Sequence, residues 1–391
     1  MPATVVLPNV LLHGAGKNIG SLAPAIIGPM ASYHIHATLL PDGDAPIDLW
    51  VRDGHITVEP VQGAEVLGPL PAFVLPGMVD AHAHLAMDMG GGHRPPGIEV
   101  IEANVAANLA AGVTAVRDPG SPRAETLDWV KAGGRPGFPV QAAPRFLAPE
   151  GRYQPIAEWA DAASLPAAAA AHARAGAPWV KVVADWPRFD KALGRRVVPA
   201  NYDEATFRAT VEAVHAAGGR VAVHCAGDAA PACVAAGVDS IEHGDALDAA
   251  LLGEMARKGI AWTPTLAMTE QLAVLATRDD ESRRKFANDR YDTYRALLPA
   301  AARAGVTILA GTDMLPHGSI AREVEALVRH GLEPRIALAA ASSGARAFLG
   351  FSAFEEGAPA DLVLFAADPR RDPGVLATPS FVLLGGVPAQ R

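Results

Sequence analysis

Histidine, lysine and aspartate recur in this chain at the ends of short apolar, β-branched runs, and together they have the composition of a metal site. The residues are His82 and His84 in PGMVDAHAHL, Lys181 in PWVKVVAD, His224 in RVAVHCAG, His243 in VDSIEHGD and Asp313 in TILAGTDM. His82 and His84 are two apart on an extended segment, so both side chains leave the same face and could bind one ion. With thirteen histidines in the chain, a His-x-His could arise by chance. What lifts this one is that Asp80, His82 and His84 together close a strand-like run.

Lys181 lies inside an otherwise apolar strand, Val180-Lys181-Val182-Val183. It could pair with Asp185 or reach solvent, but lysines are seldom buried without a purpose. A desolvated lysine has a lowered pKa, and its neutral amine can capture carbon dioxide as an anionic carbamate able to bridge two divalent ions. His224 and His243 end consecutive strands, and each offers a neutral imidazole to a second ion. Taken singly, either could be a structural histidine bonded to backbone. Asp313 follows Gly311 and Thr312, and its carboxylate can bind the first metal and take the proton of an attacking water. The expectation is two divalent metal ions, of zinc type, supplying hydroxide at neutral pH and polarising a substrate carbonyl. Asp313 serves as general base and then returns the proton to the leaving group.

These residues need strands that end at one rim. Eight apolar runs alternate with Ala-rich helical stretches: FVLPGMVDAHAHL, GVTAVRD, FPVQAAPRFL, PWVKVVAD, GRVAVHC, GVDSIEH, GIAWTPT and GVTILAGTD. Several follow a helix stopped by glycine, as in AANLAAGVTAV, VAAGVDSI and ARKGIAW, because glycine adopts the left-handed cap conformation. Repeated βα units predict an α/β fold, a (β/α)8 TIM barrel with the site at its C-terminal rim. No Gly-x-Gly-x-x-Gly turn follows the first strand, which argues against a dinucleotide fold. The ends differ in pattern. HIHATLL, IDLWVRD and HITVEPV, with a hairpin signal at Asp53-Gly54, pair in expectation with DLVLF and SFVLLGG as a small β-sandwich. The domains are then 1–75, 76–352 and 353–391, the first and last forming the sandwich together.

Bulk properties exclude other classes. The 391 residues are 50% hydrophobic and 19% charged, as in a globular enzyme. The net charge is −9, with acids and bases dispersed. No basic stripe exists to bind nucleic acid or an anionic membrane. Only Cys225 and Cys233 are present, which fits a reducing compartment and a cytoplasmic location. Val5 to Met30 is apolar but interrupted by Pro8, Gly14, Gly16, Gly20, Pro24 and Pro29, so it reads as strand and loop rather than a signal or a membrane span. The expected partner is a small-molecule substrate, and a homo-oligomer is compatible with the sequence.

From PGMVDAHAHL through Lys181, VDSIEHG and GTD to EEGAPADLVLF, the chain resembles the amidohydrolase superfamily over nearly its whole length. The stretch GTDMLPHGSIAREVEALVRHGLEPRIALAAASSGARAFLG and the lysine on strand four resemble the imidazolonepropionase-like and binuclear prolidase-type branch. The resemblance implies that His82, His84 and Asp313 hold the more buried metal, Lys181 bridges, and His224 with His243 hold the other. It implies hydrolysis of an amide-type bond, linear or cyclic. The alternatives are a mononuclear imidazolonepropionase-like ring opening, an esterase or lactonase, and a non-catalytic protein of the same fold. Dipeptidases of this branch carry Gly-Gly-His after strand three and Tyr two residues past the strand-five histidine. This chain has LAPEGRYQP and Ala226 there, which counts against a dipeptidase, and Gly227 stands where deaminases carry Glu. Candidate substrate contacts are His317, Arg145, Tyr153, Arg117 and His93. Arg117 with Asp118 could instead form a supporting ion pair, and Trp186 and Trp262 could wall a pocket.

Overall fold

The computed structural model describes residues 31–68, 71–89, 95–153, 156–276 and 281–389. The apolar first thirty residues and His93 lie outside the described residues. In β1 (Tyr33–Leu39), Tyr33, Ile35 and Ala37 are buried and His34 and His36 less so, the period of a one-sided strand. β2 (Pro46–Arg52) returns beside it and turns into β3 (His55–Thr57) through Asp53 and Gly54. Their φ angles of 50° and 80° are those a two-residue type I′ hairpin requires. β4 (Glu65–Val66) and β5 (Ala72–Pro76) run parallel to β1.

The chain then alternates strands and helices: β6 (Met78–Asp80), α1 (Ile98–Ala110), β7 (Val113–Asp118), α2 (Glu125–Lys131), β8 (Val140–Ala142), β9 (Phe146–Ala148) and β10 (Ala157–Trp159). Next come α3 (Leu165–Arg174), β11 (Trp179–Val183), the hairpin β12 (Arg188–Asp190) and β13 (Arg195–Val197), α4 (Glu204–Ala216) and β14 (Arg220–Cys225). α5 (Ala230–Ala236), β15 (Ser240–His243), α6 (Ala249–Lys258), β16 (Ala261–Thr263), α7 (Leu266–Ala276) and α8 (Glu281–Ala304) follow. The helices α9 (Ile320–Arg329), α10 (Pro334–Ala340) and α11 (Ser343–Leu349) precede β17 (Leu362–Phe365), β18 (Phe381–Leu384) and β19 (Val387–Pro388). Gly112, Gly237 and Gly259 have left-handed backbone just past α1, α5 and α6, the stops anticipated from sequence.

The two ends of the chain do come together. β17 pairs antiparallel with β5, giving one eight-stranded mixed sheet in the order β19-β18-β17-β5-β1-β2-β3, with β4 beside β1. Backbone bonds from Ile56 and Gly54 to residues 357–360 tie its β3 edge back to the C-terminal segment. Ile35, Leu49, Val51, Val74, Leu362 and Leu364 fill one face, while the alternate residues Leu75, Val363 and Phe365 join the main core. The sheet is thus buried on both sides, which is why the β17 run is uninterruptedly apolar.

The parallel strands form two arcs, β6-β7-β8 and β10-β9-β11-β14-β15-β16. Two of the eight expected strands take a different form. The third is split: β8 pairs with β7 and β9 with β11, and Pro144 between them lacks an N–H to donate. The eighth run carries only isolated bridges, Trp262 with Ile308 and Ala83 with Asp313. It still joins both arcs, since Leu309 N donates to Trp262 O (2.9 Å) and Ala81 N to Ala310 O (2.9 Å). Outward residues such as Val180, Val182, Val221, Val223 and Ile241 pack into the helical layer. Val79, Ala81, Ala115, Trp179, Ala222, Ala261 and Leu309 form a separate inner cluster. Among the described residues no helix is long and apolar enough to cross a membrane.

Candidate metal centre

Strand alternation decides which side chains enter the interior. On β11, Val180 and Val182 face the helices, so Trp179 and Lys181 face inward. On β14, Val221, Val223 and Cys225 face outward, leaving Ala222 and His224 inside. On β15, Ile241 points out and the inward places belong to Ser240 and Glu242. By that rule His243 should point away. It reaches the site because its backbone is left-handed, with φ of 68°. Asp313 does the same at φ 52°, and so do Thr265 and Tyr153 at 49° and 52°. Four of the six described non-glycine residues with positive φ therefore surround this site. Such conformations cost on the order of 1–3 kcal/mol each and cluster where function demands them.

His82 and His84 follow β6 rather than lying within it. The rings form a chain: His84 to His82 at 5.5 Å between centroids, His82 to His243 at 5.4 Å, and His243 to His224 at 4.6 Å. Asp313 Oδ1 lies 3.4 Å from His84 Nε2 and 3.7 Å from His82 Nε2. Ligand atoms of His82, His243 and Asp313 all lie within 4.8 Å of one another. Gly311 makes this approach feasible, since a Cβ there would stand 2.6 Å from the Cβ of His82. Asp80 accepts from Thr312 N (3.0 Å) and Thr312 Oγ1 (2.5 Å), pinning the turn that carries Asp313.

Three histidines are oriented through Nδ1: His82 to Glu242 (2.6 Å), His84 to Gly120 O (2.8 Å) and His243 to Thr265 Oγ1 (2.8 Å). The nitrogens left to the site are the Nε2 atoms, as in a carboxylate- or carbonyl-backed metal ligand. Among the described residues, the buried side-chain nitrogens of this interior without a protein partner include Lys181 Nζ, His224 Nδ1 and Arg117 Nη1. Asp185, which the sequence offered as a partner for Lys181, instead accepts from Ala226 N and Gly227 N. A buried amine without an acceptor is costly, so these orphans fit a site built for groups beyond the chain.

Burial, aided by the Lys181 charge, lowers His82 to about 4 and His224 to about 3. It also holds His243 well below the usual imidazole range, so these three rings are neutral and can ligate. Burial brings Lys181 down to about 8, with Glu242 opposing it and Arg117 adding to it. Burial acts to raise Asp313, but His82, His84 and His243 outweigh it and hold the carboxylate well below its usual range. Burial pushes Tyr153 above the ordinary phenol range, and Asp313 adds to this.

The six candidate ligands thus meet in one interior. The substrate candidates are a different matter. Arg117 is 1% exposed, and most of its guanidinium is engaged within the protein. Its Nη2 donates to both Glu242 oxygens (2.8 Å each) and its Nε to Ala81 O (2.6 Å). Arg145 donates to the carbonyls of Ile156 and Ala157, bracing the loop after β9. His317 bonds His84 O (3.2 Å) and contacts Asn108. Trp262 is core, its Nε1 donating to His243 O (2.7 Å). Tyr153 does face the centre: its ring packs against His224 (5.5 Å), Phe146 (5.1 Å) and Trp186 (4.8 Å). Sequence reasoning missed Glu242, although its place two residues after Ser240 on a strand marks it as inward.

The sequence profile of the amidohydrolase family matches residues 73–389. The chain belongs to that family and is an amidohydrolase enzyme. The uncharacterized protein Rv2915c of Mycobacterium tuberculosis is 38% identical over 375 residues, spanning 90% of this chain and 94% of that one. Ochratoxinase of Aspergillus niger is 32% identical over 161 residues, 39% of this chain and 33% of that protein. Its crystal structure matches at a TM-score of 0.74 with 23% identity, covering 92% of this chain and 96% of that one. A Xaa-Pro dipeptidase with bound methionine in its active site matches at 0.75 with 20% identity, covering 92% and 99%. At these identities the two structural likenesses establish the fold.

Proposed function

We propose that this chain hydrolyses an amide-type bond in a small molecule, with His82, His84, Lys181, His224, His243 and Asp313 holding two divalent ions of zinc type and Lys181 carboxylated. The observation that carries the reading is Lys181, a buried amine without a partner in an interior shared with four imidazoles and a carboxylate. At a pKa of about 8 a useful fraction of that amine is neutral at physiological pH and able to add carbon dioxide. The two parallel arcs act as one (β/α)8 barrel, with residues 306–313 as its eighth strand and the mixed sheet as a separate unit.

Bound divalent cations would supply Lewis acidity, providing a nucleophile at neutral pH and polarising a carbonyl. The side chains do the rest. Asp313, ionised beside His82 and His84, accepts a proton and passes it to the departing nitrogen. Tyr153 points a phenol toward the same space, where it can donate to the oxygen that gains charge. Phe146, Tyr153 and Trp186 form an aromatic wall that favours a substrate with an apolar or aromatic portion. A Xaa-Pro dipeptidase among the proteins of this fold agrees with amide chemistry, while Ala226 and the LAPEGRYQP loop set this chain apart from a dipeptidase. An ester or lactone would answer to the same attack. The expected setting is cytoplasmic, with neither nucleic acid nor membrane as partner.

Metal analysis of the purified chain tests this directly. Two ions per chain are expected, with a carbamate carbon signal after growth in labelled bicarbonate, and Lys181→Ala should lose both the signal and at least one ion. Unchanged metal content and turnover in Lys181→Ala would end the bridging role. A mononuclear reading with Lys181 uncarboxylated draws on one observation: His82, His243 and Asp313 alone suffice for one ion. One ion per chain and no carbamate signal would decide for it.

A further inference from the structure

Glu242 occupies the inward place on β15 that the alternation denies to His243, and it is 0% exposed. Its two oxygens receive His82 Nδ1 (2.6 Å), Arg117 Nη2 (2.8 Å to each) and Ser240 Oγ (2.5 Å). Arg117 is itself held by Ala81 O (2.6 Å) and Thr263 Oγ1 (3.1 Å), and its guanidinium lies 4.7 Å from the centroid of the Trp179 ring. The network therefore spans the interior from β7 through β15 to the segment after β6, beneath the candidate metal centre. A carboxylate paired with an always-charged guanidinium is ionised and can only accept, so the proton on the short contact belongs to His82 Nδ1.

We infer that Glu242, charged and locked by Arg117, is the positioning residue that fixes His82 in the Nδ1–H tautomer and aims its Nε2 toward Asp313, where the two would hold a metal ion. The inference rests on the metal reading of the site, and it adds a residue that the ligand set does not contain. The logic is that of a carboxylate behind a ligating histidine, where the partner fixes ring orientation and raises the basicity of the ligating nitrogen. His84 and His243 lean on neutral oxygens, Gly120 O and Thr265 Oγ1, so the charged support is particular to His82.

Two measurements test it. In metal-free protein with 15N-labelled histidine, the ring shifts of His82, assigned through His82→Gln, should report the Nδ1–H tautomer. In Glu242→Gln they should show a mixture. By chelator competition, Glu242→Gln should hold the tightest Co2+ or Zn2+ about 10- to 100-fold more weakly. Removing the charge from Glu242 leaves Arg117 buried and unpaired, which can prevent folding. The pair Arg117→Met with Glu242→Gln removes both charges and carries the same measurements. An Nε2–H tautomer in the wild type overturns the proposal. So does a folded Glu242→Gln, or folded double variant, that keeps wild-type affinity within threefold. A wild type that takes up no metal would instead sink the metal reading, and the tautomer alone would then decide what Glu242 does.

Discussion

Replacing Glu323 by glutamine should remove from this protein a loss of stability with rising pH of about 1 kcal/mol per pH unit between about pH 5 and pH 8. Glu323 lies in α9, is fully buried, and accepts from the backbone N of Leu266 (2.9 Å) and Ala267 (2.7 Å) at the start of α7. Burial raises its pKa to about 8 even though the two amide bonds pull the other way. Unfolded, the same carboxyl titrates near its ordinary 4.5. The folded pKa is the higher one, so between these values the folded state binds more protons. The stabilisation is complete below about pH 4.5 and is lost as pH rises through about 8. One pH unit of difference corresponds to about 1.4 kcal/mol, so this residue alone should tilt stability by about 1 kcal/mol per pH unit across the window. Glutamine keeps the shape and cannot ionise, but its single oxygen can serve only one of the two amides that now use both carboxyl oxygens, a loss that is the same at every pH and leaves the slope readable. Urea unfolding of metal-free wild type and Glu323→Gln at pH 5, 6, 7 and 8 gives the difference directly. Equal slopes in the two proteins would refute the reasoning. The consequence reaches the centre, because the same turn carries Thr265, which holds His243 Nδ1.

Other perturbations follow from single contacts. Gly311→Ala places a Cβ 2.6 Å from His82 Cβ and 2.7 Å from Thr263 Cγ2, so His82 must give way by roughly 1 Å. It should destabilise the fold by about 1–3 kcal/mol and weaken metal binding, read by thermal melting and chelator competition. A wild-type melting temperature would show that the strand moves freely. Asp361→Ala removes the buried partner of Arg346 (2.9 Å), whose guanidinium also reaches Gly77 O and Thr114 Oγ1. Stranding that charge should cost about 3–5 kcal/mol in chemical denaturation, and a loss under 1 kcal/mol would mean the junction of sheet and strands relies on packing alone.

Much of the site was legible in one dimension. A lysine inside Val-Lys-Val-Val and the histidine closing Val-Ala-Val-His sit where a parallel strand must present them, because inward and outward places alternate whatever the fold's details. The hairpin at Asp53-Gly54 and the glycines ending α1, α5 and α6 were legible for a similar reason: each states a local backbone conformation that few residues tolerate.

The tertiary structure decided what alternation could not. His243 reaches the centre by a left-handed backbone that hands the inward place on β15 to Glu242, and no periodicity announces such a reversal. Arg117 looked available for a substrate until the strand bearing Glu242 was placed across from it. Pro144 divides the third strand between two neighbours, and the segment ending at Asp313 bridges both arcs without a strand's full ladder. Side-chain type and spacing along the chain constrain which face a residue takes. Which partner meets it there depends on strands far apart in sequence, so bonds such as His82 to Glu242, 160 residues away, exist only once the fold has closed around them.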